Sequence, residues 1–210
     1  MNRIVPLYIV AFAILAFATL MLVIAPGAQI RQQQPAPGLK QYTAQELAGR
    51  AQYVNMGCVY CHSQQPRSPS QSLADFSRGW GRQSTAADYA YDTPHQLGTM
   101  RTGPDLLNVG ARLPSRDWHL THLYQPRAIF DWSIMPAYPF LFEHKEKAEA
   151  GDVVVKLPAA FQPAGQVVVA KQEALDLTAY LQSLNRTYPI DVKEGQLQDQ
   201  GFALTQDAKK

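Results

Sequence analysis

The sequence predicts a mostly helical protein: one N-terminal membrane-spanning helix, then a domain with long loops and room for one small β-hairpin. Three observations predict it. Val5 to Ala28, VPLYIVAFAILAFATLMLVIAPGA, contains no charged residue. Two later segments, TAQELAGRAQYV and AKQEALDLTAYLQSLNR, repeat apolar residues at spacings of three and four, the helical period. The remainder is rich in turn formers, with 15 prolines and 13 glycines among 210 residues, which favours loops over a regular bundle.

The apolar run is long enough to cross a hydrocarbon core, which takes about 20 residues. It exceeds the ~7–15-residue apolar region of a secretory signal, and Pro26 in APGAQ spoils a small-residue cleavage site, so it is read as a retained anchor. Its flanks do not orient it, because Arg3 precedes the run and Arg31, Lys40 and Arg50 follow it. Residues 1–28 are therefore read as the anchor, 29–42 as a polar, Pro- and Gly-containing stalk, 43–188 as the domain and 189–210 as a polar tail. The domain opens on a capping box, Thr43 with Glu46, ahead of a helix whose apolar stripe is Leu47, Ala51 and Val54. Gly57 is its expected stop. Residues 63–102 show no periodicity, and so long a segment within a domain points to a functional or packing loop. SRDWHLTHLYQP predicts a short helix capped by Ser115 and stopped before Pro126. DVVVKLPAAF and AGQVVVA are expected to pair as a hairpin around Pro163 to Gly165. The last helix puts Ala174, Leu177, Leu181 and Leu184 on one face, with Asn185 as a left-handed stop.

Nineteen basic residues against 17 acidic ones leave no electrostatic footprint for nucleic acid. The two cysteines, Cys58 and Cys61, are too close together to form a structural disulfide framework. With His62 they make C-x-x-C-H, the string of a c-type haem attachment site. The two thiols add to the two vinyl groups, and the adjacent imidazole reaches the iron from the same side. A zinc ribbon would need a second cysteine pair, and a thioredoxin-type dithiol would want a βαβ setting. His62 is thus the expected proximal ligand.

For the second axial position, Met135 stands in SIMPAYP, where Pro136 and Pro139 stiffen the loop and Tyr138 and Phe140 supply apolar cover. Met ligation suits electron transfer. Met100, His119 and His122 are the alternatives. A metal-bound histidine usually donates its other N–H to a carbonyl, and Pro104 in TGPDL offers one without a competing N–H; a plain Gly-Pro turn explains the same residues. Arg67, Arg101 and Arg112 are candidates to neutralise haem propionates, or are solvated surface arginines. His119 and His122, at i and i+3, could bind a metal, although such pairs are mostly structural.

The series GCVYCH, TGPDL, a Met-Pro loop and a last helix LTAYLQSLN resembles class I cytochrome c. That resemblance implies that the first and last helices cross near Tyr180 and Leu181, that Pro104 orients His62, and that Met135 is the distal ligand. CVYCHSQQPR, YAYDTPHQLGTMRTGPDLLNVGAR, DWHLTHLYQPR and SIMPAYPFL behind one anchor are further similar to the monohaem subunit of cbb-type haem–copper oxidases, the FixO family, from about Gly49 to Leu141. Ser68–Ala87 and Asp152–Val169 depart from that pattern. The resemblance implies one covalent haem c and a cytochrome c-type donor. It also implies an integral-membrane catalytic haem–copper subunit as partner, and a haem domain on the periplasmic side of the bacterial inner membrane. The chain itself would be a non-catalytic electron-transfer subunit. A nitric oxide reductase-type or divergent haem–copper complex and a free anchored shuttle are the alternatives for the same chemistry.

Overall fold

The computed structural model describes residues 4–68, 75 and 77–190. The expected polar tail lies, from 191 onward, outside them. Helix α1, Ile4–Arg31, is 28 residues long and apolar over most of its span, with Gln29 and Arg31 at its end. At about 1.5 Å per residue it is long enough for a bilayer core of about 30 Å. Within it Leu20–Ile24 is π-helical, with the Ala25 N–H donating to Leu20 O. This widened turn precedes Pro26, which has no N–H to give and whose ring would crowd the carbonyl a turn earlier. The segment read as a stalk continues α1 to Arg31 and then lies on the domain. Ala36 is buried, its N–H donates to Ala87 O at 3.2 Å, and the Tyr42 ring packs 5.7 Å from that of Tyr180.

Helix α2, Ala44–Asn55, starts with the capping box. Thr43 Oγ1 accepts from Glu46 N at 3.3 Å, and the Glu46 carboxylate accepts from Thr43 N at 2.6 Å. Its buried residues are Gly49 and Tyr53, whereas Leu47 is 52% and Val54 40% exposed. The expected Leu47–Ala51–Val54 stripe therefore faces outward. At about 3.6 residues per turn, an offset of two positions is slightly more than half a turn. Close backbone approach decides the packing face: a Cβ on Gly49 would stand 1.8 Å from Asp176 O, so only glycine lets the last helix lie this close.

A short helix α3, Val109–Arg112, leads to α4, Arg116–Tyr124, which Ser115 Oγ caps at the Trp118 N–H. Helix α5, Gln172–Ser183, buries Ala174, Leu177 and Leu181, with Leu184 just beyond it, on the face the sequence assigns to the core. Asn185 is not left-handed, since among the described residues every one of positive φ is a glycine. Its Oδ1 instead accepts from Thr187 N and Oγ1, a side-chain turn that ends the helix without αL backbone. The helices meet in one apolar cluster that includes Tyr53, Leu120, Leu123, Leu141, Leu177 and Leu184.

The sheet has two strands. β1, Phe142–Lys145, runs antiparallel to β2, Val167–Ala170, with Phe142 opposite Ala170. The expected pairing of β2 with the Val153–Val155 run is reduced to an isolated bridge at Val154–Val169 with two flanking hydrogen bonds. β1 has no Val-rich signature, yet it wins the regular ladder. Its end is secured by Lys171 N to Leu141 O at 3.0 Å, and Phe142 seals the core.

Among the described residues, the loop between the attachment motif and α3 is tied together by buried polar groups around the 3-10 turn Ala86–Tyr89. Arg82 forks onto Asp88 with hydrogen bonds of 2.7 and 2.8 Å. Arg50 of α2 binds Asp92 at 2.5 Å and also Pro94 O. Buried Arg186 donates from Nε to Asp88 O and from its backbone N–H to Asn108 Oδ1.

Candidate haem site

Met56 ends α2 and Gly57, at φ 70°, turns the chain into a 3-10 turn, Cys58–Tyr60. Cys61 N and His62 N both donate to Cys58 O, at 3.1 and 2.9 Å. This tight turn carries Cys58, half-buried, and Cys61, exposed. Burial pushes the Cys58 thiol up to about 11, so it remains a protonated thiol at neutral pH.

The TGPDL loop folds back over this turn. Gly103 N donates to Cys61 O at 2.9 Å and Leu106 N to Ser63 O at 2.8 Å. A Cβ on Gly103 would lie 2.2 Å from the His62 ring, so glycine is what lets the loop pass against the imidazole. His62 Nδ1 stands 2.7 Å from Pro104 O, a carbonyl that can only accept, so Nδ1 carries the proton. Nε2 is left as the nitrogen with a free lone pair. Burial holds His62 below its ordinary value, while the Pro104 carbonyl and Asp105 act the other way. The neutral ligand form is thereby favoured.

Cys58, Val59, Leu106, Leu113, Met135 and Tyr138 are all half-buried and pack on the same core cluster. The Met-Pro loop is held to α4 by Tyr138 N to Leu123 O at 2.9 Å. Burial, then the neighbouring Cys58 and Cys61, push the Tyr138 hydroxyl up. Met100, by contrast, is 57% exposed.

The other candidates separate clearly. Arg67 is exposed, with its backbone N–H on Asp75 at 2.8 Å. Arg101 turns inward: it donates to Ser63 Oγ at 2.9 Å, Asp75 at 2.5 Å and Gln65 O at 2.7 Å, and stacks on Trp80 at 5.2 Å. Arg112 gives one nitrogen to Asp105 O at 2.5 Å, and its buried Nε has no partner. His119 Nε2 is tied to Leu113 O at 2.8 Å, a structural bond. His122 stacks on Trp118 at 4.8 Å with its Nδ1 buried and unpartnered; burial, then His62 and His119, push it down to about 4. Among the described residues, no three His, Cys, Asp or Glu side chains converge as a metal-ion cluster.

The donor set fits a haem: two thiols and an oriented imidazole on one turn, a half-buried apolar lining, and an unpartnered guanidinium N–H. Sequence reasoning missed Asp105, Ser63 and Gln64. Asp105 is fully buried and accepts from Ser63 Oγ, Gln65 N and Leu107 N. Gln64 joins Tyr180 of α5 at 3.1 Å and takes the Tyr89 hydroxyl on its carbonyl at 2.6 Å. Their one signal was position, within two residues after His62 or Pro104.

Terminal helices that cross at Gly49, an attachment turn directly after the first of them, and a proline carbonyl on the histidine together define a class I cytochrome c-like domain behind one membrane-length helix. The chain belongs to the FixO family, described as "Cytochrome C oxidase, mono-heme subunit/FixO", whose model matches residues 2–162. That match spans the apolar helix, the attachment turn, the TGPDL loop and the Met-Pro loop, and covers more than the stretch from Gly49 to Leu141. No curated protein matches the chain. Membership makes this a mono-haem cytochrome c subunit associated with a membrane haem–copper catalytic subunit.

Proposed function

We propose that the chain holds one haem c by thioethers to Cys58 and Cys61, with His62 Nε2 and the Met135 thioether as axial ligands. On this reading it relays electrons from a c-type donor to the catalytic subunit that reduces oxygen. The observation that carries it is the 2.7 Å contact of His62 Nδ1 with Pro104 O, which fixes the tautomer and leaves Nε2 as the nitrogen with a free lone pair. When bound, the haem supplies a reversible one-electron carrier. The protein's own residues do the rest. Pro104 holds the imidazole and raises its basicity, and Pro136 and Pro139 stiffen the loop that presents Met135. Leu106, Leu113 and Tyr138 exclude water, which limits reorganisation on electron transfer. Arg112, with its unpartnered Nε, is the arginine whose donor is free for a propionate. Residues 1–28 anchor the chain, and 43–188 form the haem domain on the periplasmic side of the inner membrane.

Purification in mild detergent tests the relay. The expected result is a complex that contains b-type haem and a catalytic subunit and that reduces oxygen. A haem protein running alone would instead identify a free anchored shuttle. Met135→Ala should abolish the red-edge Met–iron charge-transfer band of the oxidised protein, and a surviving band would rule out Met135.

A further inference from the structure

We propose that Asp105 is a positioning residue for the haem iron: it clamps the chain on the far side of His62, and its carboxylate there lowers the midpoint potential. The proposal rests on the haem reading above and extends it to a residue that reading does not use.

The geometry is specific. One Asp105 oxygen accepts from Ser63 Oγ and from Gln65 N, both at 2.7 Å, and the other accepts from Leu107 N at 2.9 Å. Ser63 and Gln65 are the first and third residues after His62, and Pro104, whose carbonyl accepts the His62 Nδ1–H bond, directly precedes Asp105. The carboxylate therefore fastens the chain leaving the attachment turn to the loop that orients the imidazole. It does so alongside the backbone bonds Gly103 N to Cys61 O and Leu106 N to Ser63 O. Three donors converge on it, and an uncharged amide could not receive them all without turning its own N–H groups toward one.

The charge has a second consequence. Asp105 and Asp75 are both buried, and among the described residues Arg101 lies within ion-pair distance of both, 2.5 Å from Asp75 but 3.8 Å from Asp105. Asp105 is the less closely paired to it. Half-buried Arg112 bonds the Asp105 backbone oxygen, not its carboxylate. Charges act further in a buried site than in water. Negative charge behind the proximal histidine favours the oxidised iron, as does a more basic imidazole. Arg101 opposes this.

The test is a redox titration of haem c absorbance in the purified membrane complex. Asp105→Asn should raise the midpoint potential and Arg101→Gln should lower it, with the Met–iron band kept in both. Loosening of the loop alone would move both variants in the same direction. Shifts of equal sign, or no shift in either, overturn the proposal. If a variant does not assemble, the unsubstituted complex decides. Its reduced-minus-oxidised infrared spectrum should contain a carboxylate band that moves on isotopic labelling of aspartate, and the absence of that band overturns the proposal. Failure of the underlying reading looks different, since the unsubstituted chain would then carry no covalent haem.

Discussion

The two halves of the domain are held by opposite kinds of chemistry. The crossing of α2 and α5 is a dry contact in which Gly49 meets the Asp176 carbonyl and Tyr53 and Tyr180 pack at 5.4 Å between ring centroids. The loop from Ser63 to Asn108 instead encloses buried carboxylates, Asp75, Asp88, Asp92 and Asp105, with arginines 50, 82 and 101 against them. The crossing fixes where the attachment turn sits. The loop fixes what surrounds the imidazole. An apolar crossing tolerates changes of pH and salt but not of shape, whereas an ion-paired loop tolerates small changes of shape but not loss of charge.

The largest expected effect is at the crossing. Gly49→Val would drive a side chain into the α5 backbone, and the domain is expected to lose most of the ~5–15 kcal/mol typical of folded domains. Circular dichroism melting would show this, and a near-normal melt would mean that the helices can separate at little cost. Asp88→Ala should cost about 3 kcal/mol, because it leaves the half-buried Arg82 guanidinium without its carboxylate partner. The same pair sets the response to acid. Burial alone would raise the Asp88 carboxyl, but the Arg82 bonds and the Thr85 N–H outweigh it and hold it below the ordinary 3.8. A depressed value means the contribution is complete above the unfolded-state value and is lost as pH falls through the folded one. Denaturant titrations should therefore show a stability increment at pH 6 over pH 3 that is smaller in Asp88→Asn; an identical increment would contradict the assignment. The smallest effect belongs to Tyr180→Phe. It removes the hydroxyl bonded to Gln64 at 3.1 Å and keeps the ring packing, for about 0.5–1.5 kcal/mol.

The same contrast explains what could be read from the sequence. The α5 face was legible because leucines and alanine at three- and four-residue spacings admit one solution. The capping box at Thr43 was legible because it is local. The packing face of α2 was not, since glycine carries no hydrophobic signal and is chosen there for what it lacks. The partner of β2 was misplaced because Val153–Val155 looks like a strand, while Phe142–Lys145 earns its ladder from the anchorage of Lys171 and the burial of Phe142. At the site, Cys58, Cys61 and His62 are legible as a string. The direction of Arg101 is not, because Asp75 is 26 positions away and only the folded loop joins them.

The central claim is that this turn carries one covalent haem. The most direct measurement is the intact mass of the chain isolated from membranes under denaturing conditions, alongside its pyridine haemochrome spectrum. The expected result is a mass greater by one haem, retained after acid extraction, and reduced to that of the bare polypeptide in a Cys58→Ala, Cys61→Ala double variant. A bare polypeptide mass in the unsubstituted chain, or haem that acid extraction removes, would contradict the account.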